Sequence, residues 1–260
     1  MRGETMPQLK PRRKVKRKNK KPNYFLRIVL LIIVATVAVY FFLQSATFNV
    51  KYITVSGNRG LSNSDVLDLS GLKPGSNIFY INFSSALASL ATNPLIAESQ
   101  VLKKYPSGLE IHISERTAIA LVPSQNGIMY VDKDGVAIKE SRELTRLELP
   151  IITGIVIPAK ALLGKSVVTA DLSLGLDVVK QLDADLKKRI AEINVKNNYI
   201  TIFLDDKSEV RIGEPERLKE KLTVFDSIIK EEKKRKNVKV LQYIDVSFEG
   251  APVIKYKQDR

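Results

Sequence analysis

The chain has 260 residues, a formal net charge of +14, 44% hydrophobic residues, one histidine and no cysteine. That length suits two modest packed domains better than one small one. Without cysteine there is no disulfide framework, thiol nucleophile or cysteine-based zinc site, and one histidine excludes the usual multi-histidine metal centres.

The charge is uneven. Residues 1–27 hold eleven Lys/Arg and one Glu, a net of +10; the other 233 hold 31 Lys/Arg against 27 Asp/Glu, a net of +4. The excess lies mainly in the run "KPRRKVKRKNKKP". Next comes "NYFLRIVLLIIVATVAVYFFLQSATF", with no charged side chain from Ile28 to Leu43. A helix of about 20 residues spans the roughly 30 Å hydrocarbon core. Arg27 can snorkel to the headgroups, and Tyr24, Phe25, Tyr40, Phe41 and Phe42 suit the two interfaces. The apolar character runs all round the segment, unlike an amphipathic helix. Its length exceeds a signal-peptide core of about 7–15 residues, and "QSA" is a poor cleavage site. An uncleaved membrane helix is therefore expected over residues 24–44. The basic flank places residues 1–23 in the cytoplasm and the rest outside. A topology signal, with contact to anionic lipid, explains the basic tail more simply than nucleic-acid binding does.

The outer part opens with "FNVKYITVSGN", an alternating strand over residues 48–56 followed by a Gly-Asn turn. "LSNSDVLDLSGL" reads as a short helix, capped by Ser62, with Asp65 at the capping-box position and Gly71 closing it. "FSSALASLATNP" reads as a second helix, capped by Asn82 or Ser84 and stopped before Pro94, with Leu87, Leu90 and Ala91 as its buried stripe. "IAESQVLKKYPSGLEIHIS" gives two strands around a turn at 106–108. The order is strand, helix, helix, strand, strand.

Beyond Thr117, "AIALV" and "GIMYVD" are short strands and "DKDG" is a tight turn, too short for a twelve-residue calcium loop. "LPIITG" is extended. "ADLSLGLDVVKQLDADLKKR" reads as one helix, with Leu172, Leu176, Val179 and either Leu182 or Asp183 on one side. Residues 190–213 look like three strands with turns at Asn197-Asn198 and Asp205-Asp206. "EPERLKEKLTVFDSIIKEEKKRK" is an amphipathic helix with Pro215 in its first turn and Leu218, Leu222, Phe225 and Ile229 on its apolar face. "VLQYIDVSFEGAPVIKYK" gives one or two final strands.

The stretch "LEIHISERTAIALV" places the only histidine, His112, near Ser114 and Glu115. In a strand, Glu110, His112 and Ser114 share one face, while Leu109, Ile111 and Ile113 share the other. Glu115 then points away from His112. No G-x-S-x-G motif or glycine-rich approach supplies a nucleophile turn or oxyanion donor. A solvated strand face is the better reading. Glu115 and Arg116 fall where the first module ends, and a charged pair there can tie the modules together.

The segments "VKYITVSGN", "LKPGSNIFYIN", "NPLIAESQVLKKYPSGLEIHISERTAIAL", "YVDKDGVAI" and "LPIITG", in this order after a basic-flanked anchor, resemble the FtsQ/DivIB family of bacterial cell-division proteins. Residues Val101, Pro106, Leu109, Ile111, Ile113, Glu115, Arg116 and Ala120 carry the most specific part. Ala118 stands where the family often has proline, and Leu95 where it often has an aromatic. The resemblance implies an α+β architecture: one transmembrane helix, a POTRA domain (β-α-α-β-β) at 48–116, a mixed β domain with mostly antiparallel strands at 117–250, and a short end at 251–260. It implies a non-catalytic scaffold without cofactors, enriched at the division septum. The implied partners are FtsB/DivIC-like and FtsL-like division proteins and, through them, the septal peptidoglycan synthase. It also implies that the last strands bind a partner by edge pairing. Matching positions here are Ser247, Phe248 and Glu249, followed by Val253, Ile254 and Tyr256, with Phe248 and Tyr256 as aromatic anchors and pairing broken at Pro252. A second, recruiting surface falls near Lys103, Lys104 and Tyr105. The competing classes are a POTRA adaptor of another envelope complex and a cell-wall hydrolase.

Overall fold

The computed structural model describes residues 24–142, 149–158, 161–234 and 240–257, so the basic tail lies outside the described residues. The chain divides into one unit ending at Phe48 and another beginning at Asn49. The first holds helix α1 (Tyr24–Leu43), with no buried residue, long and apolar enough to cross a membrane. Thr36 donates to the Ile32 carbonyl one turn back at 2.8 Å, so its hydroxyl hydrogen is satisfied within the helix.

The second unit starts with β1 (Tyr52–Ser56), α2 (Asn63–Ser70), α3 (Phe83–Leu90), β2 (Ile96–Lys104) and β3 (Gly108–Glu115). The sheet order is β1-β3-β2, with β1 parallel and β2 antiparallel to β3. The strand expected from residue 48 begins only at Tyr52; Ala46–Phe48 is a 3-10 turn and Asn49 bridges Asn77 instead. The α2 cap is as the sequence specifies. The Ser62 hydroxyl accepts the Asp65 N–H at 3.1 Å, Asp65 accepts the Ser62 N–H at 3.1 Å, and Gly71 closes the helix at φ 66°. Asn82 caps α3. The buried stripe of α3 is Ala86 and Leu90, one turn apart, whereas Leu87 is half-buried and Ala91 is the exposed C-cap. Val66, Leu90, Ile96, Ile111 and Ile113 form the core beneath. Gly57, at φ +85°, lies so close to β3 that an added Cβ would sit 2.0 Å from the Ile113 carbonyl oxygen.

Two residues later a second sheet begins: β4 (Ala118–Ser124), β5 (Gly127–Asp132), β6 (Ala137–Ser141), β7 (Ile151–Thr153), α4 (Ala170–Gln181), α5 (Ala184–Lys187), β8 (Ile190–Lys196), β9 (Tyr199–Leu204), β10 (Glu209–Gly213), α6 (Leu218–Lys234), β11 (Leu241–Asp245) and β12 (Val253–Tyr256). The nine strands run β12-β11-β10-β9-β8-β7-β4-β5-β6. Only β10–β11, β7–β8 and β4–β7 are parallel. The single helix expected over 170–189 is two: Leu182 is extended, and Asp183 restarts the turn by accepting the Leu186 N–H at 2.7 Å. Pro215 precedes α6 rather than sitting in its first turn.

Helices α4 and α6 pack on one face. Leu218, Leu222, Phe225 and Ile229 are all buried there, each contributing about 2 kcal/mol. Gly175 brings α4 close to the sheet, where a Cβ would lie 2.7 Å from Ile152.

Candidate functional site

The two edges of the large sheet differ. Strand β12 is terminal, and no described segment pairs with its outer side. It runs antiparallel to β11, with Asp245 opposite Val253, Ile244 opposite Ile254 and Tyr243 opposite Lys255. The Lys257 N–H donates inward to the Val240 carbonyl at 2.8 Å. Backbone groups alternate along a strand, so Lys255 and Val253 also face β11, and the N–H and C=O of Ile254 face out. On β11, the Val246 N–H donates to Arg211 of β10 at 3.0 Å, which leaves Tyr243 and Asp245 facing β12, in agreement. Side chains alternate as well. Ile254 and Tyr256 pack on the helix-side core, while Val253 and Lys255 point to the other face. Pro252 sits just before the strand, where its missing donor breaks no ladder bond.

Of the six residues expected at this edge, Val253, Ile254 and Tyr256 are in β12. Ser247, Phe248 and Glu249 are not: they lie in the bend joining β11 to β12. The reason is local. The Asp245 carboxylate accepts both the Ser247 N–H at 3.0 Å and its hydroxyl at 2.6 Å, turning the chain out of the sheet. Phe248 is 47% exposed over the start of α6, where it lines a cavity of about 100 Å³ with Val224, Val246 and Pro252. Glu249 pairs with Arg217 at 3.0 Å. Tyr256 is not a free anchor, because its hydroxyl donates to Glu232 of α6 at 2.8 Å. Glu232 and Arg217 were not singled out from sequence; their charged neighbours in α6 look like an ordinary solvated face.

Lys103, Lys104 and Tyr105 close the end of the small sheet but do not act as one group. Lys104 pairs with Glu110 at 2.8 Å on the helix-free face. Lys103 lies on the helix side, over the rings of Phe83 (5.1 Å) and Phe79 (5.6 Å). The Tyr105 ring packs 5.8 Å from that of Phe79.

Glu115 and Arg116 face opposite ways across the seam. The Glu115 carboxylate accepts the N–H groups of Arg59, Gly60 and Leu61 at 2.8–2.9 Å, fixing the loop before α2. Burial pushes its pKa up, but the three donors outweigh that and hold it below the ordinary glutamate range. Arg116 reaches forward to Asp132 at 2.7 Å, and the other Asp132 oxygen accepts from Asp134 and Val136 in the "DKDG" turn. Adjacent side chains thus organise a loop of the first sheet and a turn of the second.

His112 does meet a serine, but not Ser114. The parallel register puts Ser56 opposite it, and the Ser56 hydroxyl lies 3.0 Å from Nδ1. Ser56 also donates to Glu110 at 2.9 Å, so the three side chains form one polar cluster across the two strands. The group lies on a helix-free sheet face. Among the described residues no cluster of three His, Asp or Glu is placed to hold a metal.

The fold thus defines a class: an apolar helix, a β-α-α-β-β module and a wide mixed sheet whose β12 edge no described segment covers. The profile of the "POTRA domain, FtsQ-type" matches residues 48–116, and that of "Cell division protein FtsQ/DivIB, C-terminal" matches residues 120–247. The chain belongs to the FtsQ/DivIB family of bacterial cell-division proteins. It is 27% identical to cell division protein DivIB of Clostridium botulinum over 245 residues, covering 92% of this chain and 93% of that one. It is 31% identical to cell division protein FtsQ of Anaeromyxobacter sp. (strain K) over 190 residues, 72% of this chain and 64% of that one. Among solved structures, the major extracytoplasmic domain of the trans isomer of DivIB from Geobacillus stearothermophilus matches 44% of this chain and 92% of its own, at 17% identity and a TM-score of 0.34.

Proposed function

We propose that the chain is a membrane-anchored, non-catalytic scaffold of the division machinery. Its N-terminus is cytoplasmic and everything beyond α1 is extracytoplasmic at the septum, with domain limits near residues 48, 117 and 250. The β12 edge receives a strand from an FtsB/DivIC-like partner. FtsL-like protein joins that complex, which links the scaffold to the septal peptidoglycan synthase. The observation that carries this reading is the bare outer side of β12 at the end of a nine-stranded sheet. Main-chain bonds to Ile254 supply affinity, and the Phe248 notch beside the strand accepts a side chain of the incoming segment. The family names cell-division proteins, which agrees with a scaffold role.

The test is co-purification of the full chain with the candidate partners, before and after Phe248→Lys. Phe248 is half exposed, so the substitution leaves the thermal transition in place while lowering affinity about tenfold. Unchanged binding contradicts the role of the notch.

A further inference from the structure

Three segments meet at one end of the small sheet. Residues 49–52 lead into β1, residues 73–83 form the α2–α3 connection, and residues 103–108 turn from β2 to β3. Backbone bonds tie them together: Val50 donates to Ser76 at 2.9 Å, Gly75 to Val50 at 2.8 Å, and Lys51 to Ser107 at 2.8 Å. Together they hold Lys51, Lys73, Lys103 and Lys104 and no Asp or Glu, although the chain as a whole has 28 acidic residues. They also hold five aromatic residues, and Tyr52, Tyr80 and Tyr105 are 52%, 63% and 59% exposed.

This composition matches a bilayer interface, where aromatic rings sit at headgroup level and lysine heads reach anionic lipid. The chain itself supplies the proximity. Asn49 follows the last residue of α1, Leu43, by six positions. Six residues span at most about 20 Å when fully extended. The aromatic and basic end is therefore held within a short leash of the bilayer that α1 enters.

We propose that this end is a lipid-contacting surface, with Tyr80 and Tyr105 in the headgroup region and Lys51, Lys73 and Lys103 on anionic headgroups. The inference rests on α1 as a membrane anchor but not on strand addition at β12, and a failed β12 experiment leaves it standing. The occupant is lipid rather than a protein partner, because the leash delivers this surface to the membrane whether or not a partner is present.

The chain contains no tryptophan, so Tyr80→Trp and Tyr105→Trp each introduce a single, selectively excitable tryptophan at an exposed position. Gln242→Trp, at the exposed position of β11, is the control. Each full-length variant is reconstituted in vesicles of phosphatidylglycerol and phosphatidylcholine that carry bromine high on the acyl chains. The expected result is a blue shift and loss of emission for both tyrosine positions and none for the control. In vesicles of phosphatidylcholine alone, the loss is smaller. Emission equal to that of the control overturns the proposal. So does a loss that occurs only after a candidate protein partner is added, since the surface would then belong to that partner.

Discussion

The large sheet ends in β6 on one side and β12 on the other, and the chain treats them differently. At β6, residues 164–167 lie alongside. Gly164 donates to the Ala137 carbonyl at 2.7 Å, Ala137 donates to Lys165 at 3.0 Å, and Val167 donates to Gly135 at 2.9 Å. At β12 no described segment does this. A bare edge is an invitation to pairing, and folded proteins usually cover, shorten or charge it. Here β12 is only four residues long, follows Pro252 and carries Lys255, which limits non-specific pairing without blocking a matched strand. The contrast lies at the start of each strand: the first residue of β6 is bonded by residues 164–165 of the chain itself, while no described segment bonds the outer side of β12, the side on which the proposed function places a partner strand.

The largest expected effect comes from unsealing β6. Gly164 sits at φ +77°, which proline cannot adopt, and its N–H is used. Gly164→Pro should lower stability by about 3 kcal/mol and promote self-association, while partner affinity stays unchanged. Chemical denaturation and light scattering read both, and loss of partner binding would mean that the two edges are not independent. Next is Ile254→Pro, which removes an outward donor while leaving the inward bonds of Lys255 and Lys257. Partner affinity should fall roughly a hundredfold. Titration calorimetry measures it, with Ile254→Val binding normally. Tyr256→Phe should cost about 1 kcal/mol of stability through the lost bond to Glu232, read as a small drop in Tm, with little change in binding.

The smallest effect separates the seam from both edges. Because the folded-state pKa of Glu115 is depressed, its stabilisation is complete above the ordinary glutamate value and disappears as pH falls through the folded value. Glu115→Gln should therefore flatten the acid limb of the stability curve. An acid limb of unchanged slope would rule the carboxylate out as its source.

Much of this was legible in the sequence because it depends on near neighbours. The Ser62–Asp65 capping box, the α6 apolar stripe and the polar face through Glu110 and His112 need only residues a few positions apart. What was not legible depends on distant partners. The pairing of β7 with both β4 and β8 follows from long crossovers, and strand periodicity gives faces, not neighbours. Ser56 reaches His112 only through a parallel register 56 residues apart. The α4–α5 break at Leu182 carries no Gly or Pro; its signal was Asp183, which reads equally well as a helix-surface acid. Ser247 through Glu249 fall at the edge by the family resemblance, which cannot show that Asp245 captures the Ser247 N–H and ends the strand before them. The cover on β6 shows no periodicity at all.

The most direct test is amide hydrogen exchange on the full chain, alone and saturated with the proposed FtsB/DivIC-like partner. The account predicts that the Ile254 amide exchanges quickly in the free chain and becomes protected in the complex, while the Val253 and Lys255 amides are protected in both. An Ile254 amide that exchanges equally fast with and without bound partner would contradict strand addition at β12.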